Sequence, residues 1–500
     1  MESQQSHNHN QLHVIFLPFP SPGHMIPMID TARLFAKHRV NVTIIATHAN
    51  ASTFQKTIDN DFNSGYSIKT KLIRFPSAQL GLPDGVENLK DGTNSEILGK
   101  ISHGISMLQD PIEGLFQDLQ PDCVVTDMMY AWTAEAAAKL GVPRIHYYSS
   151  SYFSNCAYHF IMKYRPHDNL VSDTHKFTIP GFPHTIQMTP LQLPDWLREK
   201  NPATAYFEPM FKSEEISYGT LYNSFHELES DYEKLSKTTI GIKSWSVGPV
   251  SAWANKDDEK KANRGQIEEL GKESAELLNW LNSKQNESVL YVSFGSLAML
   301  AHAQLVEIAH GLENSGHNFI WVVRKNNRDE GENSFLQDFE KRMKESNKGY
   351  IIWNWAPQLL ILDHPATGGI VTHCGWNSIL ESLNSGLPMI TWPMFAEQFY
   401  NEKLLVDVLK IGVPVGAKEN KSWNSISVEA VVKREEIVKA VKILMGSGQE
   451  SKEMRIRAKK LGDAAKRSIE EGGDSYNNLI QLIDELKSLK KSKALGEKAD

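Results

Sequence analysis

The sequence is poor in cysteine and in long apolar runs. Its 500 residues include three cysteines, Cys123, Cys156 and Cys374, none of them in a CxxC pair. That count argues against a zinc knuckle and is typical of a reducing compartment. No stretch approaches the roughly 18 consecutive apolar residues of a membrane-spanning helix. The N-terminal MESQQSHNHNQ lacks the basic start and apolar core of a secretory signal, so we expect a cytoplasmic protein without a membrane span.

Net positive charge is also missing. Lys and Arg total 53 against 60 Asp and Glu, a formal net charge of −7, whereas a nucleic-acid binder needs a strongly basic surface. Hydrophobic residues make up 41% and charged residues 23%, which is the balance of a folded globular protein. At roughly 150 residues per domain, the length predicts about three domains or two large ones. No nucleic-acid partner is expected.

Several common nucleotide and hydrolase motifs are absent. There is no GxxxxGK[ST] phosphate loop, no GxGxxG after the first predicted strand and no GxSxG elbow. The triplet Asp59-Asn60-Asp61 has the DxD form used by metal-dependent transferases, but so short an acidic match arises easily by chance. We interpret this triplet as part of a solvated polar loop, and we expect no metal site.

Strand and helix patterns alternate along the chain. Leu12–Pro18 and Val40–Ala46 are apolar, strand-like runs separated by a helical pattern that starts near His24. Val289–Phe294 and Asn318–Val323 repeat this arrangement in the second half. The alternation predicts an α/β protein with two tandem Rossmann-like domains, each a parallel sheet covered by helices. Because ligands bind beyond the carboxyl ends of such strands, we expect the domains to face each other across a cleft that holds the site.

The charged run Ala254–Arg264 separates the two halves, and near the C-terminus four apolar residues recur at helical spacing: Leu479, Leu482, Ile483 and Leu486. The predicted organisation is a disordered tail at 1–10, an N-terminal Rossmann-like domain at 11–250, a linker at 251–274, a C-terminal Rossmann-like domain at 275–475, a helix at 476–490 that packs back across the domains, and a frayed tail at 491–500.

The most informative segment is Trp355–Gln398. At its core, Thr372–Ser378 (THCGWNS) marks a strand that gives way to a helix, and the unsatisfied N–H groups at that helix start suit a diphosphate. Three side chains add hydrogen-bonding groups there: His373, Asn377 and Ser378. Glu381 lies one turn further along the same face, where its carboxylate can accept hydrogen bonds from ribose hydroxyls.

The two ends of this segment suit the remaining parts of a nucleotide sugar. Trp355 offers a flat aromatic face to a base. Glu397 and Gln398 follow another predicted strand, and a carboxylate beside an amide suits the hydroxyls of a sugar. The segment resembles the plant secondary-product glycosyltransferase box, the signature of UDP-sugar-dependent family 1 glycosyltransferases.

The resemblance covers nearly the whole chain, from about His13 to about Leu486, and is greatest to the legume triterpenoid-saponin branch. It includes Ser21–His24 (SPGH), Asp122–Asp127 (DCVVTD) and Tyr291–Ser296 (YVSFGS). It implies the GT-B fold and UDP-glucose as donor substrate, with no further cofactor. The implied roles are uracil stacking by Trp355 and pairing by the Ala356 backbone, ribose binding by Gln358 and Glu381, diphosphate binding by Ser296, His373, Asn377 and Ser378, sugar binding by Trp376, Glu397 and Gln398, and catalysis by His24 with Asp127 as its partner.

His24 and Asp127 also suit catalysis by their own chemistry. His24 follows a glycine at the end of the first predicted strand, and Asp127 follows the strand Cys123–Thr126. Parallel strands bring such carboxyl ends together. An acceptor hydroxyl is a poor nucleophile until a base removes its proton, and a histidine oriented by a carboxylate is suited to this step near neutral pH.

Two observations bear on the substrates. The box has Glu397 where many relatives carry Asp, and it ends in Gln398 where galactose users of the family often carry His, which favours glucose as the sugar. Eight residues of the N-terminal half lie near predicted strand ends or loops and favour an extended apolar acceptor: Phe19, Met107, Met128, Met129, Tyr130, Tyr152, Phe153 and Met188.

Together these features predict an inverting, metal-independent, UDP-glucose-dependent glucosyltransferase. It would add β-glucose to a hydroxyl or carboxyl of a hydrophobic plant secondary metabolite, with a triterpenoid sapogenin as the preferred hypothesis. We expect a monomer. The alternatives are a flavonoid or phenolic glucosyltransferase, a UDP-sugar epimerase on the same fold, and an inactive nucleotide-sugar-binding protein.

Overall fold

Most of the chain is described by the computed structural model, which covers residues 11–201, 203–256, 261, 264, 272–324, 330–421 and 431–496. The predicted tail at 1–10 lies outside the described residues. So do much of the predicted linker at 251–274 and the last four positions of the predicted tail at 491–500.

The strands account for the alternating apolar runs of the sequence. In chain order they are β1 His13–Leu17, β2 Asn41–Thr47, β3 Ile68–Ile73, β4 Cys123–Asp127, β5 Arg144–Tyr148, β6 Phe177–Thr178, β7 Gln187–Met188, β8 Gly219–Tyr222, β9 Ser244–Ser246, β10 Val289–Ser293, β11 Asn318–Val323, β12 Gly349–Trp353, β13 Thr367–Thr372, β14 Met389–Thr391 and β15 Gly412–Pro414.

The α-helices fall between these strands and after the last of them. They are α1 Pro22–Lys37, α2 His48–Ser52, α3 Gln55–Asn63, α4 Ser77–Leu80, α5 Ser95–Ser106, α6 Gln109–Leu119, α7 Thr133–Lys139, α8 Tyr152–Tyr164, α9 Asp195–Arg198, α10 Thr204–Glu215, α11 His226–Leu235, α12 Val250–Ala254, α13 Lys272–Asn282, α14 His302–Ser315, α15 Glu330–Glu345, α16 Gln358–Asp363, α17 Trp376–Asn384, α18 Gln398–Lys403, α19 Arg434–Met445, α20 Gln449–Ser468 and α21 Asp474–Gly496.

The strands form two large parallel sheets and one short antiparallel ribbon, β6-β7. The first sheet has the order β3-β2-β1-β4-β5-β8-β9 and the second β12-β11-β10-β13-β14-β15. Neighbouring strands of both large sheets run parallel. In each sheet the order reverses beside the first strand, between β1 and β4 and between β10 and β13. The predicted α/β class with two Rossmann-like sheets is confirmed.

The central strands are apolar on both faces because helices cover both sides of a parallel sheet. In β1, Val14, Ile15, Phe16 and Leu17 are each at most 2% exposed. Alternate residues therefore pack into different cores. Val14 and Phe16 belong to one buried cluster, and Ile15 and Leu17 belong to another. A charged residue at any of these positions would be buried without a partner, which explains the continuous apolar run.

The C-terminal helix is longer than predicted. Helix α21 spans Asp474–Gly496, whereas the sequence pattern suggested 476–490 with a frayed end from 491. Its four apolar residues at helical spacing are at most 1% exposed and join the core that includes Val14 and Trp245 of the first sheet. Burying side chains of this kind contributes about 1.5–3 kcal/mol each, so this helix is an integral part of the N-terminal sheet's core.

The chain divides into two compact units whose boundaries differ from the predicted domains. The first unit comprises Met1–Tyr152, Pro202–Lys256 and Arg467–Asp500, and the second comprises Phe153–Asn201 and Asp257–Lys466. The predicted border near residue 250 therefore omits an excursion, 153–201, that packs with the C-terminal sheet. Packing, not local pattern, decides this: the Tyr158 ring lies 4.9 Å from that of Tyr400.

No helix within the described ranges combines the length and apolarity that crossing a bilayer requires.

Candidate active site

A histidine and a carboxylate meet where the strand order of the first sheet reverses. Strand β1 ends at Leu17, and helix α1 begins at Pro22, whose fixed φ suits the first helical position. His24 lies in the first turn of this helix, and Asp127 is the last residue of β4. Because β1 and β4 are neighbours, with Leu17 paired to Thr126, the two residues are brought together. The His24 Nδ1 atom lies 3.0 and 3.1 Å from the two Asp127 carboxylate oxygens.

The environment of this pair differs on its two sides. The Asp127 side chain is fully buried, whereas the His24 side chain is 25% exposed. The Ser149 hydroxyl donates to Asp127 Oδ2 at 2.7 Å, and the Met129 N–H donates to Oδ1 at 3.0 Å. Burial raises the pKa of Asp127, but the charge and hydrogen bond of His24, with these two donors, outweigh it and hold the pKa below its ordinary value.

The protonation of the pair follows from these contacts. An ionised carboxylate can only accept hydrogen bonds, so Nδ1 of His24 must be the donor. In the neutral imidazole this leaves Nε2 as the acceptor, able to take a proton from another molecule. Ser149 was missed by sequence reasoning, since a serine after a strand has no distinguishing pattern.

The residues suggested for acceptor binding fall into three groups. Phe19 and Tyr130 lie beside the pair, with the Phe19 ring centroid 5.5 Å from the rings of both His24 and Tyr130. Tyr152, Phe153 and Met188 are at most 1% exposed and belong to the core. The other three methionines of the set are more accessible, with Met107 at 37% exposure and two half-buried: Met128 and Met129.

One aromatic residue near the pair was not anticipated. Partial burial and the negative charge of Asp127 raise the pKa of the Tyr206 phenol to about 12. Tyr206 is on helix α10, whose sequence gives no sign that it approaches the end of β4.

The second sheet places the glycosyltransferase-box residues at its own point of strand reversal. Ser296 lies in the turn after β10, and His373 follows β13 directly. The two strands are neighbours, with Ser293 paired to Thr372. Helix α17 begins at Trp376, and its N-cap residue Gly375 supplies no side-chain hydrogen bond. The positive end of this helix and its first N–H groups are therefore suited to an anion, and half-buried Asn377 and Ser378 lie in its first turn.

His373 is packed between two glycines. A Cβ atom on Gly295, where φ is +76°, would lie 2.5 Å from Cε1 of the ring, and one on Gly375 would also clash with it. Burial lowers the pKa of His373 to about 4, so the ring is neutral at physiological pH. Its Nδ1 atom is buried without a hydrogen-bond partner among the described residues. A neutral ring in this position can hydrogen-bond a ligand but does not supply a cation.

Three residues predicted to lie near the ribose and phosphate are in mutual contact. The Gln358 Nε2 group donates to Glu381 Oε2 at 2.6 Å and to the Ser378 hydroxyl at 3.3 Å, and the Tyr291 hydroxyl donates to Gln358 Oε1 at 3.2 Å. Glu381 also accepts from the Arg264 guanidinium at 2.5 Å. The Glu381 carboxylate is thus fixed by the Gln358 amide and the Arg264 cation, and neither contact was predicted from the sequence.

The residues assigned to the base follow strand β12. Trp355 is half-buried and Ala356 is 8% exposed. The Ala356 carbonyl accepts the Gln358 N–H at 2.8 Å, so the turn that joins β12 to helix α16 is held tightly. The structure thereby brings Trp355 and Ala356 next to Gln358, in the order that the box predicts.

The residues assigned to the sugar lie between β14 and helix α18. Gln398 begins the helix, and its side-chain oxygen accepts the N–H groups of Met394 at 2.9 Å and Phe395 at 3.1 Å. This fixes the amide orientation and leaves the NH₂ group for a ligand. Glu397 is half-buried. Trp376 is only 2% exposed, so its predicted contact with the sugar stays a prediction.

The DxD triplet is not the solvated loop that we expected. It lies in helix α3, where Asp59 is exposed and Asp61 is 6% exposed. The Arg33 Nε atom donates to Asp61 at 2.6 Å, and Arg33 is also bonded to Asp30 and Asn255. Asp61 is therefore a structural ion-pair partner. Across the described residues, no group of three or more His, Cys, Asp or Glu side chains is arranged to hold a metal ion.

The comparisons with known proteins identify the family of the chain. A family profile described as "UDP-glucoronosyl and UDP-glucosyl transferase" matches residues 200–433. A Glycine max protein named soyasapogenol B glucuronide galactosyltransferase is 56% identical over 489 residues, covering 98% of each chain. A Gentiana triflora anthocyanin 3'-O-beta-glucosyltransferase is 43% identical over 484 residues, covering 96% of this chain and 99% of its own.

A solved structure is similar over almost the full length. It is a Glycyrrhiza uralensis glycosyltransferase complexed with glycyrrhetinic acid 3-O-monoglucuronide, with a TM-score of 0.93 and 52% identity, covering 97% of this chain and 98% of its own. Fold and relatives together define the class, a GT-B glycosyltransferase of plant secondary metabolism. The chain belongs to the UDP-glucuronosyl and UDP-glucosyl transferase family, as the resemblance predicted.

Proposed function

We propose that His24 is the general base of an inverting glycosyl transfer. The carboxylate of Asp127 holds Nδ1–H of His24 at 3.0 Å, so Nε2 is the atom that accepts the proton of an acceptor hydroxyl. The acceptor oxygen then forms a bond to the anomeric carbon as the bond to the diphosphate breaks. One displacement inverts the α-linked donor to a β-linked product. The His24–Asp127 contact carries this proposal.

The donor is a UDP-sugar bound by the box residues in the roles that the resemblance implies. The helix start at Trp376, the neutral imidazole of His373 and the side chains of Asn377 and Ser378 stabilise the departing diphosphate. Ser296 lies on the neighbouring strand end. These donors are fixed before the reaction, so we propose that no metal ion is needed.

The acceptor proposed here is a triterpenoid, preferably one that already carries a glucuronic acid. Support comes from the name of the 56% identical soybean protein and from the ligand of the similar Glycyrrhiza structure. Phe19 and Tyr130 beside the base provide apolar surface for such a ring system. A flavonoid acceptor is the second candidate, favoured by the 43% identical Gentiana protein.

For the sugar, the proposal is glucose, because Gln398 stands where galactose users of the family often carry His. Galactose is the competing candidate, since the soybean relative is named a galactosyltransferase. Both hexoses use the same chemistry at the anomeric carbon. They differ in the orientation of one hydroxyl, so the choice depends on contacts such as those of Glu397 and Gln398.

An acceptor and donor panel tests this function. The protein is incubated with equimolar UDP-glucose, UDP-galactose and UDP-glucuronic acid and with one acceptor at a time: a triterpenoid aglycone, its monoglucuronide, or a flavonol. Mass spectrometry gives the sugar added, and the anomeric proton coupling in an NMR spectrum gives the linkage. We expect a β-hexoside of the monoglucuronide. An α-linked product would overturn the inverting mechanism, and a flavonoid preference would replace the acceptor.

A further inference from the structure

A buried asparagine outside the glycosyltransferase box holds the loop that carries Glu397 and precedes Gln398, the two residues proposed to bind the sugar. We call Met394–Glu397 the donor loop. The Asn420 Nδ2 group donates to the Ala396 carbonyl of this loop at 2.8 Å, and the next residue, Lys421, donates its N–H to the Met394 carbonyl at 2.8 Å. Asn420 is 5% exposed. Two consecutive residues thus hold both ends of a short loop.

The same asparagine is anchored on its other side. Its backbone N–H donates to the Leu191 carbonyl at 2.7 Å, and its side chain also donates to the Gln192 carbonyl at 3.3 Å. Leu191 and Gln192 belong to a single helical turn that is closed by the Thr189 N–H donating to Gln192 Oε1 at 3.0 Å. Asn420 therefore joins the donor loop to a turn with its own internal hydrogen bonds.

The backbone of the donor loop needs this support. Ala396 has φ of +54°, a left-handed conformation that is unfavourable for a non-glycine residue and persists only where neighbours enforce it. From within, the Gln398 side-chain oxygen fixes Met394 and Phe395. From outside, Asn420 fixes the strained residue itself. The loop that positions Glu397 and Gln398 is thus held from two directions.

We propose that Asn420 is a positioning residue for donor-sugar selectivity, acting through Ala396. This inference rests on the proposed UDP-hexose donor. A protein discriminates between hexoses that differ in one hydroxyl when its hydrogen-bonding groups fit that hydroxyl in only one of them. This requires the groups to be held within a fraction of an ångström. With Asn420 intact, the donor loop presents Glu397 and Gln398 in one geometry. Without Asn420, the loop adopts several geometries, and the difference in affinity between the hexoses becomes smaller.

The test measures donor binding alone, so that its result does not depend on the acceptor. Dissociation constants for UDP, UDP-glucose, UDP-galactose and UDP-glucuronic acid are measured by calorimetry for the wild type, Asn420→Ala and Asn420→Asp. The aspartate keeps the size of the side chain and the backbone bond to Leu191, but it has no NH₂ group for the two carbonyls. It also serves if the alanine variant folds poorly.

Gln304→Ala is the matched control. Gln304 is a buried amide of the same unit that also clamps backbone, donating to the Val432 carbonyl at 2.8 Å and accepting from Val431 and Val432, but none of its partners is a site residue. We expect this variant to lose thermal stability without changing the ratio of dissociation constants between sugars.

For both Asn420 variants we expect the preference of the wild type among the UDP-sugars to fall at least about fivefold, with the dissociation constant of UDP within about twofold of the wild type. A preference that stays unchanged, or a loss of affinity for UDP as large as for the UDP-sugars, would overturn the proposal. So would a wild type that binds all the UDP-sugars equally. If the wild type binds the UDP-sugars selectively but transfers sugar to no acceptor, only the proposed function is overturned.

Discussion

The two large sheets place different kinds of candidate site residues at the same topological position. In the first, the order reverses between β1 and β4, and there the structure places His24 against the ionised carboxylate of Asp127. In the second, the order reverses between β10 and β13, and the residues there are Ser296 and the neutral His373 at a helix start. In the proposed function, the first position moves a proton and the second stabilises a negative charge.

The two histidines show what makes the difference. His24 is a quarter exposed and has a carboxylate partner, so its imidazolium form would be stabilised once a proton arrives. His373 is packed between Gly295 and Gly375, and burial lowers its pKa to about 4. The residue type is identical, and only its surroundings decide whether it can serve as a base. Replacing each histidine in turn should therefore give different kinetic signatures.

The largest effect should come from His24→Ala. Loss of a general base lowers turnover by about 10²–10⁴-fold, while the dissociation constant of UDP should stay unchanged because the proposed UDP contacts are all with residues that follow strands of the second sheet. His373→Ala should weaken UDP binding by about 10–100-fold, the scale of a lost hydrogen bond to a charged group. Steady-state kinetics and calorimetry measure both quantities, with the exposed His103→Ala as control. A His24 variant of normal turnover would contradict the assigned roles.

The next largest effect concerns the two aspartates of helix α3. Asp61→Asn should lower the free energy of unfolding by about 2 kcal/mol, because it removes the closer of the two buried carboxylates, Asp61 and Asp30, that pair with the Arg33 cation. Asp59→Asn changes an exposed residue of the same helix and should alter the free energy of unfolding little. Denaturant titration distinguishes them.

Metal dependence is tested on the same two variants and the wild type. Each should retain its activity in excess chelator, because the helix start and its side chains are proposed to stabilise the diphosphate without a cation. Activity that disappears with chelator and returns with Mg²⁺ or Mn²⁺ would show that the second sheet does not work by fixed donors alone.

A smaller effect on stability is expected from the ionisation of a buried carboxyl beside the second sheet. Burial raises the pKa of Glu402, which accepts from the Thr391 hydroxyl at 2.7 Å, to about 7. Since the unfolded side chain ionises at a lower pH, the protein should lose stability as the pH rises toward 7. Glu402→Gln should therefore stabilise the fold above pH 7, on the order of 2 kcal/mol, and give no gain near pH 4.

Glu307→Gln is the control of opposite sign. The Arg434 guanidinium, which donates to Glu307, lowers the pKa of that carboxyl to about 2. Its stabilising contribution is present above the unfolded pKa and is lost as the pH falls toward 2, so the variant should be less stable than the wild type at neutral pH. Thermal unfolding across pH 4–8 measures both variants. A Glu402→Gln variant without pH-dependent gain would mean that this carboxyl is not neutral in the fold.

The smallest effect is expected for Gln398→His. The Gln398 oxygen holds the Met394 and Phe395 N–H groups, and a neutral imidazole can accept only one of those bonds while presenting a donor in a different place. Glucose use should fall several-fold, on the order of 1 kcal/mol, and galactose should gain relative to it. A competition between UDP-glucose and UDP-galactose measures the ratio. An unchanged ratio would place donor choice elsewhere in the second unit.

Much of the candidate site could be predicted from the sequence because its parts are local. Strand β13 and helix α17 are only a few residues apart in the chain. The same is true of Trp355 and Gln358, and of Glu397 and Gln398. The apolar runs predict parallel strands, and adjacent strand ends then bring distant residues such as His24 and Asp127 together. The fold class and the family are confirmed; the functional role of each residue remains a prediction.

Only the tertiary structure decided what depends on distant partners. Asp61 pairs with Arg33, 28 residues away, and the segment 153–201 packs with the second sheet rather than the first. Asn420 reaches Ala396 and the turn at Gln192, and none of these contacts has a spacing that a linear pattern records. Local rules fix which backbone a segment forms, because those energies depend on neighbours in the chain. Which buried polar group satisfies another is settled only when the chain packs, since that choice depends on residues that sequence order keeps apart.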